Sequence, residues 1–158
     1  KLLSRLKPRT FQINYSAEYN TFHPHHIAYD PQHPLSILQR RKVNARPKEG
    51  LWWSVTNRGD LSKSSVVRSW CRRRLRNAFT DELKKRGFNE NGKLMNAKVL
   101  IREDKAFEPI LEKDGNLSLT GSVRMQIQPA LITTKYADLR KETNGLVGIL
   151  LESIKADS

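Results

Sequence analysis

Only one cysteine, Cys71, occurs among the 158 residues. No disulfide can close within the chain, and no cysteine-based zinc site is available. Acids are scarce as well: 16 Asp and Glu stand against 29 Lys and Arg, a formal net charge of +13. Such an excess destabilises a compact chain by self-repulsion, so a polyanionic partner is expected. No apolar run approaches the length needed to span a bilayer, and no membrane partner is expected. Glycine-rich nucleotide fingerprints are missing too. Gly145 and Gly148 sit late in a helical pattern instead of opening one.

A catalytic set is equally hard to find. It needs a nucleophile, a base and a stabilising group that converge. Cys71 falls on an apolar helical stripe and reads as a small core residue. His23, His25, His26 and His33 cluster near the start, but Pro24 and Pro34 spoil helical ligand spacing and no cysteine lies near. They read as polar loop residues that stack on or bond to a partner. Glu103, Asp104, Glu108, Glu112 and Asp114 match no ligand pattern and read as a solvated acidic face. No enzymatic activity, cofactor, metal or small-molecule substrate is expected.

What the chain does have is a dense arginine stretch, Ser64 to Phe79, continuing to about Arg86. Val67, Cys71, Leu75, Phe79 and Leu83 recur every four residues, with Ala78 beside them. That spacing predicts an amphipathic helix with one buried stripe. Ser62 or Ser64 can cap its start, Lys84, Lys85 and Arg86 suit its negative end, and Gly87 suits its stop. Arg68, Arg72, Arg73 and Arg76 fall largely off the stripe. Arginine's planar fork matches phosphate oxygens, and Trp70 stands among the cations, so this face is expected to bind a nucleic-acid backbone.

Charge is unevenly placed along the chain. Residues 1–60 carry ten cations and four acids, residues 61–98 eleven and three, and residues 99–158 eight and nine. The polyanion is therefore expected on the first two-thirds, with the last third as scaffold and protein-facing surface. The residues expected to contact RNA are Lys1, Arg5, Lys7 and Arg9 at the start, then Arg40, Arg41, Lys42 and Arg46. Arg58 and Lys63 precede the helix, Arg68, Arg72, Arg73, Arg74 and Arg76 lie on it, and Lys84 and Lys85 end it.

Residues 1–50 mix Tyr15, Tyr19, Phe22 and Tyr29 with Pro24, Pro31 and Pro34. Prolines block regular structure, while the aromatics argue against an ordinary disordered tail. The expectation is a long extended N-terminal arm lying on a partner, followed by an α/β domain over 51–158. Within it, Leu51 to Thr56 has strand composition, with Trp52 and Trp53 on opposite faces, one in the core and the other toward RNA or protein. Ala97 to Arg102 reads as a buried strand, Ala106 to Leu111 as a short helix, and Leu117 to Ile127 as a strand ended by Pro129. Thr133 or Thr134 can cap a last helix bearing Tyr136, Leu139, Leu146, Val147, Leu150 and Ile154. This order predicts an α/β (α+β) fold, a small two-layer sandwich.

The central stretch resembles the signature helix of the bacterial ribonuclease P protein family, a run of the type Ala-Val-x-Arg-Asn-Arg-x-Lys-Arg-x-x-Arg-Glu-x-Phe. Val66, Arg68, Arg72, Arg73, Arg76 and Phe79 stand at matching places, with Arg72 for the Lys. Ser69 and Trp70 replace the Asn-Arg pair. The resemblance covers residues 51–102 and, more loosely, the last helix. It implies a ribonuclease-P-protein-like fold, with strands at Trp52 to Thr56 and Lys98 to Arg102 flanking the helix. In overall style the chain is similar to fungal mitochondrial ribosomal proteins, which implies a structural component of the mitochondrial ribosome, with the large subunit favoured. Its partners would be rRNA and neighbouring ribosomal proteins, and its location the mitochondrial matrix. The alternative is a non-catalytic RNA-processing cofactor that holds a structured RNA or precursor tRNA. A major-groove DNA regulator is disfavoured, because no partner helix directly precedes the arginine helix. The sequence begins with Lys1 and not Met, so an upstream piece is expected, either a removed targeting peptide or residues outside this sequence.

Overall fold

A three-stranded mixed sheet organises the chain. The computed structural model describes residues 6–22, 25–113, 115 and 117–157. The strands are β1 (Phe11–Ser16), β2 (Trp52–Thr56) and β3 (Ser122–Ile127), in the spatial order β1-β3-β2. β3 runs antiparallel to β1 and parallel to β2. Among the described residues seven helices join them: α1 (His25–Tyr29), α2 (Ser36–Ala45), α3 (Ser65–Lys85), α4 (Ala97–Glu103), α5 (Glu108–Lys113), α6 (Ala130–Thr133) and α7 (Tyr136–Asp157). The fold is α+β.

Strand register decides which side chains share a face. Phe11 lies opposite Ile127, Ile13 and Val55 opposite Met125, and Tyr15 and Trp53 opposite Val123. Side chains alternate along a strand, so these residues form one face. Phe11, Val55, Val123, Met125 and Ile127 are all buried in the core. The facing layer is α3 and α7. Cys71, Leu75, Ala78, Phe79 and Leu83 of α3 and Leu139, Leu146, Val147, Leu150 and Leu151 of α7 complete the same core. Trp53 meets Phe79 edge-on at 4.9 Å between ring centroids, which locks β2 to α3. The other sheet face carries Gln12, Asn14, Ser54, Thr56, Arg124 and Gln126, with Trp52 at its end, and is otherwise polar.

Among the described residues of 1–50 the chain is not an extended arm. Phe11, Ile13 and Tyr15 alternate with polar residues and supply an edge strand of the sheet, and α1 and α2 follow. Pro31 and Pro34 fall in the turn between these two helices, so the prolines bound helices instead of preventing them. The entry to β1 is held by α7: Glu142 accepts from the backbone N–H groups of Arg9 and Thr10, each at 3.2 Å, and from the Thr10 hydroxyl. The carboxylate thereby satisfies donors that the sheet edge leaves open. Gly145 permits the same approach, because a Cβ there would stand 3.1 Å from Leu6 Cδ1. β1, from the first fifty residues, thus shares one sheet with β2 and β3.

Three further expectations change. The apolar run at 97–102 is a helix, Ala97–Glu103, and not a strand. Only Leu100 of its three central apolar residues is fully buried, which suits a short helix turned once toward the core. The strand expected from Leu117 starts only at Ser122. Gly121 takes φ +91°, and a Cβ there would lie 2.7 Å from Ser16 O, so the chain turns at this glycine before entering the sheet. Leu117 and Leu119 are buried all the same. The last helix begins at Tyr136, after the separate turn of α6 that Pro129 initiates. The short helix near Ala106 is observed as a 3-10 turn, Lys105–Phe107, running into α5.

Leu75 is fully buried between α3 and the sheet. Leu75→Ala is expected to cost about 2 to 5 kcal/mol, read as a lower denaturation midpoint in urea. Glu142→Ala removes the clip on β1. Leaving its donors unpaired is expected to cost about 1 to 3 kcal/mol and to speed hydrogen exchange of residues 11–16 relative to α3.

Candidate nucleic-acid interface

Helix α3 carries more of the candidate cations than any other element. Ser64 caps it, its side chain accepting from the Val67 N–H at 3.5 Å. At the other end Gly87 takes φ +84° and its N–H donates to Lys84 O. Between these ends Cys71, Leu75, Ala78, Phe79, Glu82 and Leu83 are buried, and Arg72, Arg73, Arg76, Asn77, Lys84 and Lys85 are exposed. Burial pushes the Cys71 thiol up, against a smaller opposing pull from Arg74, so this cysteine is a core residue without thiolate character.

The arginines of α3 divide into two groups. Arg72, Arg73 and Arg76 form no ion pair among the described residues. Arg72 donates to the neighbouring Ser69 hydroxyl at 3.4 Å, and Arg76 lies 6.0 Å over the Trp53 ring. Spaced at i, i+1 and i+4, they make one band of positive charge on a rigid helix. Arg68 and Arg74 are spent within the fold. Arg68 donates to the carbonyls of Ser62 and Lys63, folding the connection from β2 back onto the helix. Arg74 donates to Leu131 O at 3.3 Å and Thr134 O at 2.6 Å, and packs 4.8 Å from the Trp70 ring centroid and 5.9 Å from that of Tyr136. It is a strut that fastens α3 to the end of α6, where helix carbonyls lack intrahelical donors.

The remaining sequence-predicted cations lie on other elements or at the end of α3. Arg58 and Lys63 are exposed in the β2–α3 connection. Lys84 pairs with Glu90 at 3.3 Å, while Lys85 forms no ion pair among the described residues. Arg41 and Lys42 are exposed on α2. Arg40 bonds to Ala28 O at 2.6 Å and ties α2 to α1. Arg46 lies 4.3 Å over the Trp52 ring, and partial burial lowers its pKa from the ordinary value. Lys7 and Arg9 are exposed. Lys1, Arg5 and His23 lie outside the described residues, and the side chains of His25 and His26 are likewise not described.

Neither tryptophan of β2 stands free. Trp52 is buried on the outer sheet face, against the Tyr19 ring at 5.1 Å, with its indole N–H donating to Pro47 O. Trp53 is half-buried on the core-facing side, its N–H donating to Glu90 O at 2.7 Å. The exposed tryptophan is Trp70, at 45%.

Two charged residues of consequence were not singled out by sequence reading. Glu82 is buried on the α3 stripe and takes both Nε and Nη2 of Arg140, at 3.0 and 2.7 Å. Its signal was present: position 82 follows Leu75 by seven residues and Ala78 by four, so helical period alone places it on the buried face. Arg124, on β3, faces the polar side of the sheet and lies 5.6 Å from the Phe22 ring centroid. An isolated cation in a strand has no comparable signal.

Fold and site together define an α+β domain with a basic, arginine-rich helix face. Comparison of the chain with protein-family models, with curated proteins and with solved structures finds no match to any of them.

The division of arginines is open to a direct check. Arg74→Ala strips two carbonyls of a charged donor and is expected to cost about 1.5 to 3 kcal/mol in a denaturant titration. Arg73→Ala, on the open face, is expected to move the same midpoint by no more than about 0.5 kcal/mol.

Proposed function

We propose that this chain is a structural, non-catalytic component of the mitochondrial ribosome, with the large subunit favoured, that binds rRNA through its basic surface and neighbouring proteins through its nearly neutral last third. One observation carries the reading: Arg72, Arg73 and Arg76 stand side by side on a rigid helix with no carboxylate paired to them among the described residues. Concentrated like charge is costly unless a polyanion neutralises it, and arginine suits phosphate oxygens. The net charge of +13 supports the same partner. Arg41, Lys42, Arg58, Lys63 and Lys85 extend the surface available to a folded RNA.

The second reading is an RNA-processing cofactor with a ribonuclease-P-protein-like fold, holding a catalytic RNA or precursor tRNA. The α3 positions Val66, Arg72, Arg73, Arg76 and Phe79 favour it. Two observations weigh against it. Arg68, one of the matching positions, is turned onto the carbonyls of Ser62 and Lys63. The segment at 98–102, expected as a flanking strand, lies in a helix.

Sedimentation of a tagged chain through a sucrose gradient separates the readings. Co-migration with a ribosomal subunit and recovery of rRNA is the expected result. Sedimentation as a free monomer sinks the ribosomal reading, and unprocessed tRNA accumulating before translation falls on depletion favours the second. In vitro, Arg72→Ala/Arg73→Ala/Arg76→Ala is expected to fold normally and to flatten the log–log salt dependence of RNA binding by roughly 0.7 to 0.9 for each phosphate it no longer neutralises.

A further inference from the structure

The polar face of the sheet is only partly open. After β1 the chain crosses it: the Asn20 N–H donates to Ser122 Oγ at 2.6 Å, Ser122 Oγ donates to Glu18 O at 2.7 Å, and the Tyr19 hydroxyl donates to Gly50 O at 3.0 Å. These bonds fix residues 18–20 over the Trp52 end of the sheet. Between this strap and β2 lies a cleft of about 150 Å³. Asn20, Thr21 and Phe22 wall it on the strap side, Ser54 and Thr56 of β2 lie beneath, and Arg46 closes it over the Trp52 ring.

The chemistry of the cleft is specific. Phe22 offers a half-buried ring, polarised by the Arg124 guanidinium 5.6 Å from its centroid. Arg46 offers a planar cation held in place by stacking on Trp52. The Ser54 and Thr56 hydroxyls can each donate and accept. The Asn20 Oδ1 is buried with no donor to it among the described residues. A buried amide oxygen left unpaired costs free energy, so a turn of the Asn20 side chain that brings this oxygen to a ligand N–H in the cleft gains what the fold leaves unmade.

A flat ring with apolar faces, a hydrogen-bonding edge and an attached anion answers all four groups at once. We infer that this cleft binds one unpaired nucleobase of an RNA strand, with the ring against Phe22, its edge on Asn20, Ser54 and Thr56, and its phosphate on Arg46. A base inside a duplex cannot enter, because its faces are stacked and its edge is paired. The inference rests on the RNA-binding reading above and deepens it: the α3 arginines would hold backbone, while the cleft would select a flipped or single-stranded position.

The full chain is titrated with a short fluorescein-labelled single-stranded RNA and with a blunt duplex of the same sequence. The single strand is expected to bind more tightly, although the duplex carries the denser charge. Phe22→Ala is expected to weaken single-strand binding roughly ten-fold, the loss of one stacked base, and to leave duplex affinity and the salt slope unchanged. Asn20→Ala is expected to weaken the single strand alone by a smaller factor. Bromouridine-substituted single strand, irradiated with the unaltered chain, is expected to crosslink within residues 20–22 or 52–56, and this readout decides the matter should Phe22→Ala fail to fold. Equal losses on both RNAs, no loss on either, or crosslinks confined to other residues overturn the cleft. If both RNAs bind equally and the triple arginine variant flattens the salt slope, the cleft falls and the RNA-binding reading stands. If neither RNA binds at low salt, both fall.

Discussion

Covering one face of a three-stranded sheet is the constraint on which the rest depends. The apolar face of such a sheet must be buried against another element. Helices α3 and α7 do that, placing Leu75, Phe79, Leu146 and Val147 with Val123 and Met125 in one core. Once α3 is committed to this packing, the rotation of the helix is settled. Its arginines at 72, 73 and 76 then have nowhere to go but outward. The basic surface is thus a by-product of core packing as much as of composition.

The same packing explains why charged residues of one type play opposite parts. Arg74 sits one helical step from the exposed band and is spent on the carbonyls of Leu131 and Thr134. Glu82, the acid on the buried stripe, is joined by Arg140 from α7, so the two covering helices are linked by a pair whose acid is almost wholly removed from water. Pairs of this kind are weak contributors to net stability but costly to break from one side. They also fix how the two helices face one another. Glu142 does comparable work at a distance, drawing the start of β1 onto α7 through backbone donors.

Legibility in the sequence followed locality. Helix α3 was readable because its stripe, its Ser64 cap and its Gly87 stop all lie within one window. β2 and the last helix were readable for the same reason. β1 was not, although Phe11, Ile13 and Tyr15 alternate cleanly. Its partner lies more than a hundred residues away at Ile127, and the prolines that follow mask the strand pattern of the segment. The run at Val99 to Ile101 reads as a strand because three apolar residues carry no period, and strand and helix differ there only through what surrounds them. For the site, composition identified arginine as the residue type, yet could not separate Arg73 from Arg74. That distinction depends on which neighbour supplies carbonyl oxygens, and α6 enters the chain some sixty residues later. The cleft at Asn20, Phe22 and Thr56 left no local trace at all, since it exists only once the strap and β2 are side by side.

The order β1-β3-β2 places the last strand to be made in the middle of the sheet. β1 and β2 both pair with β3. During synthesis, then, more than a hundred residues leave the ribosome with two strands whose shared partner has not yet been translated. Pairings this distant in sequence form slowly, and unpaired strand edges invite association between chains. Helix α3 can form early from local signals, but its apolar stripe waits for α7. A nascent chain of this design spends its early life as a strongly basic polymer with an unfinished core. Its safest companion over that interval is one that screens the arginines and keeps neighbouring copies apart until Ser122–Ile127 arrives to close the sheet.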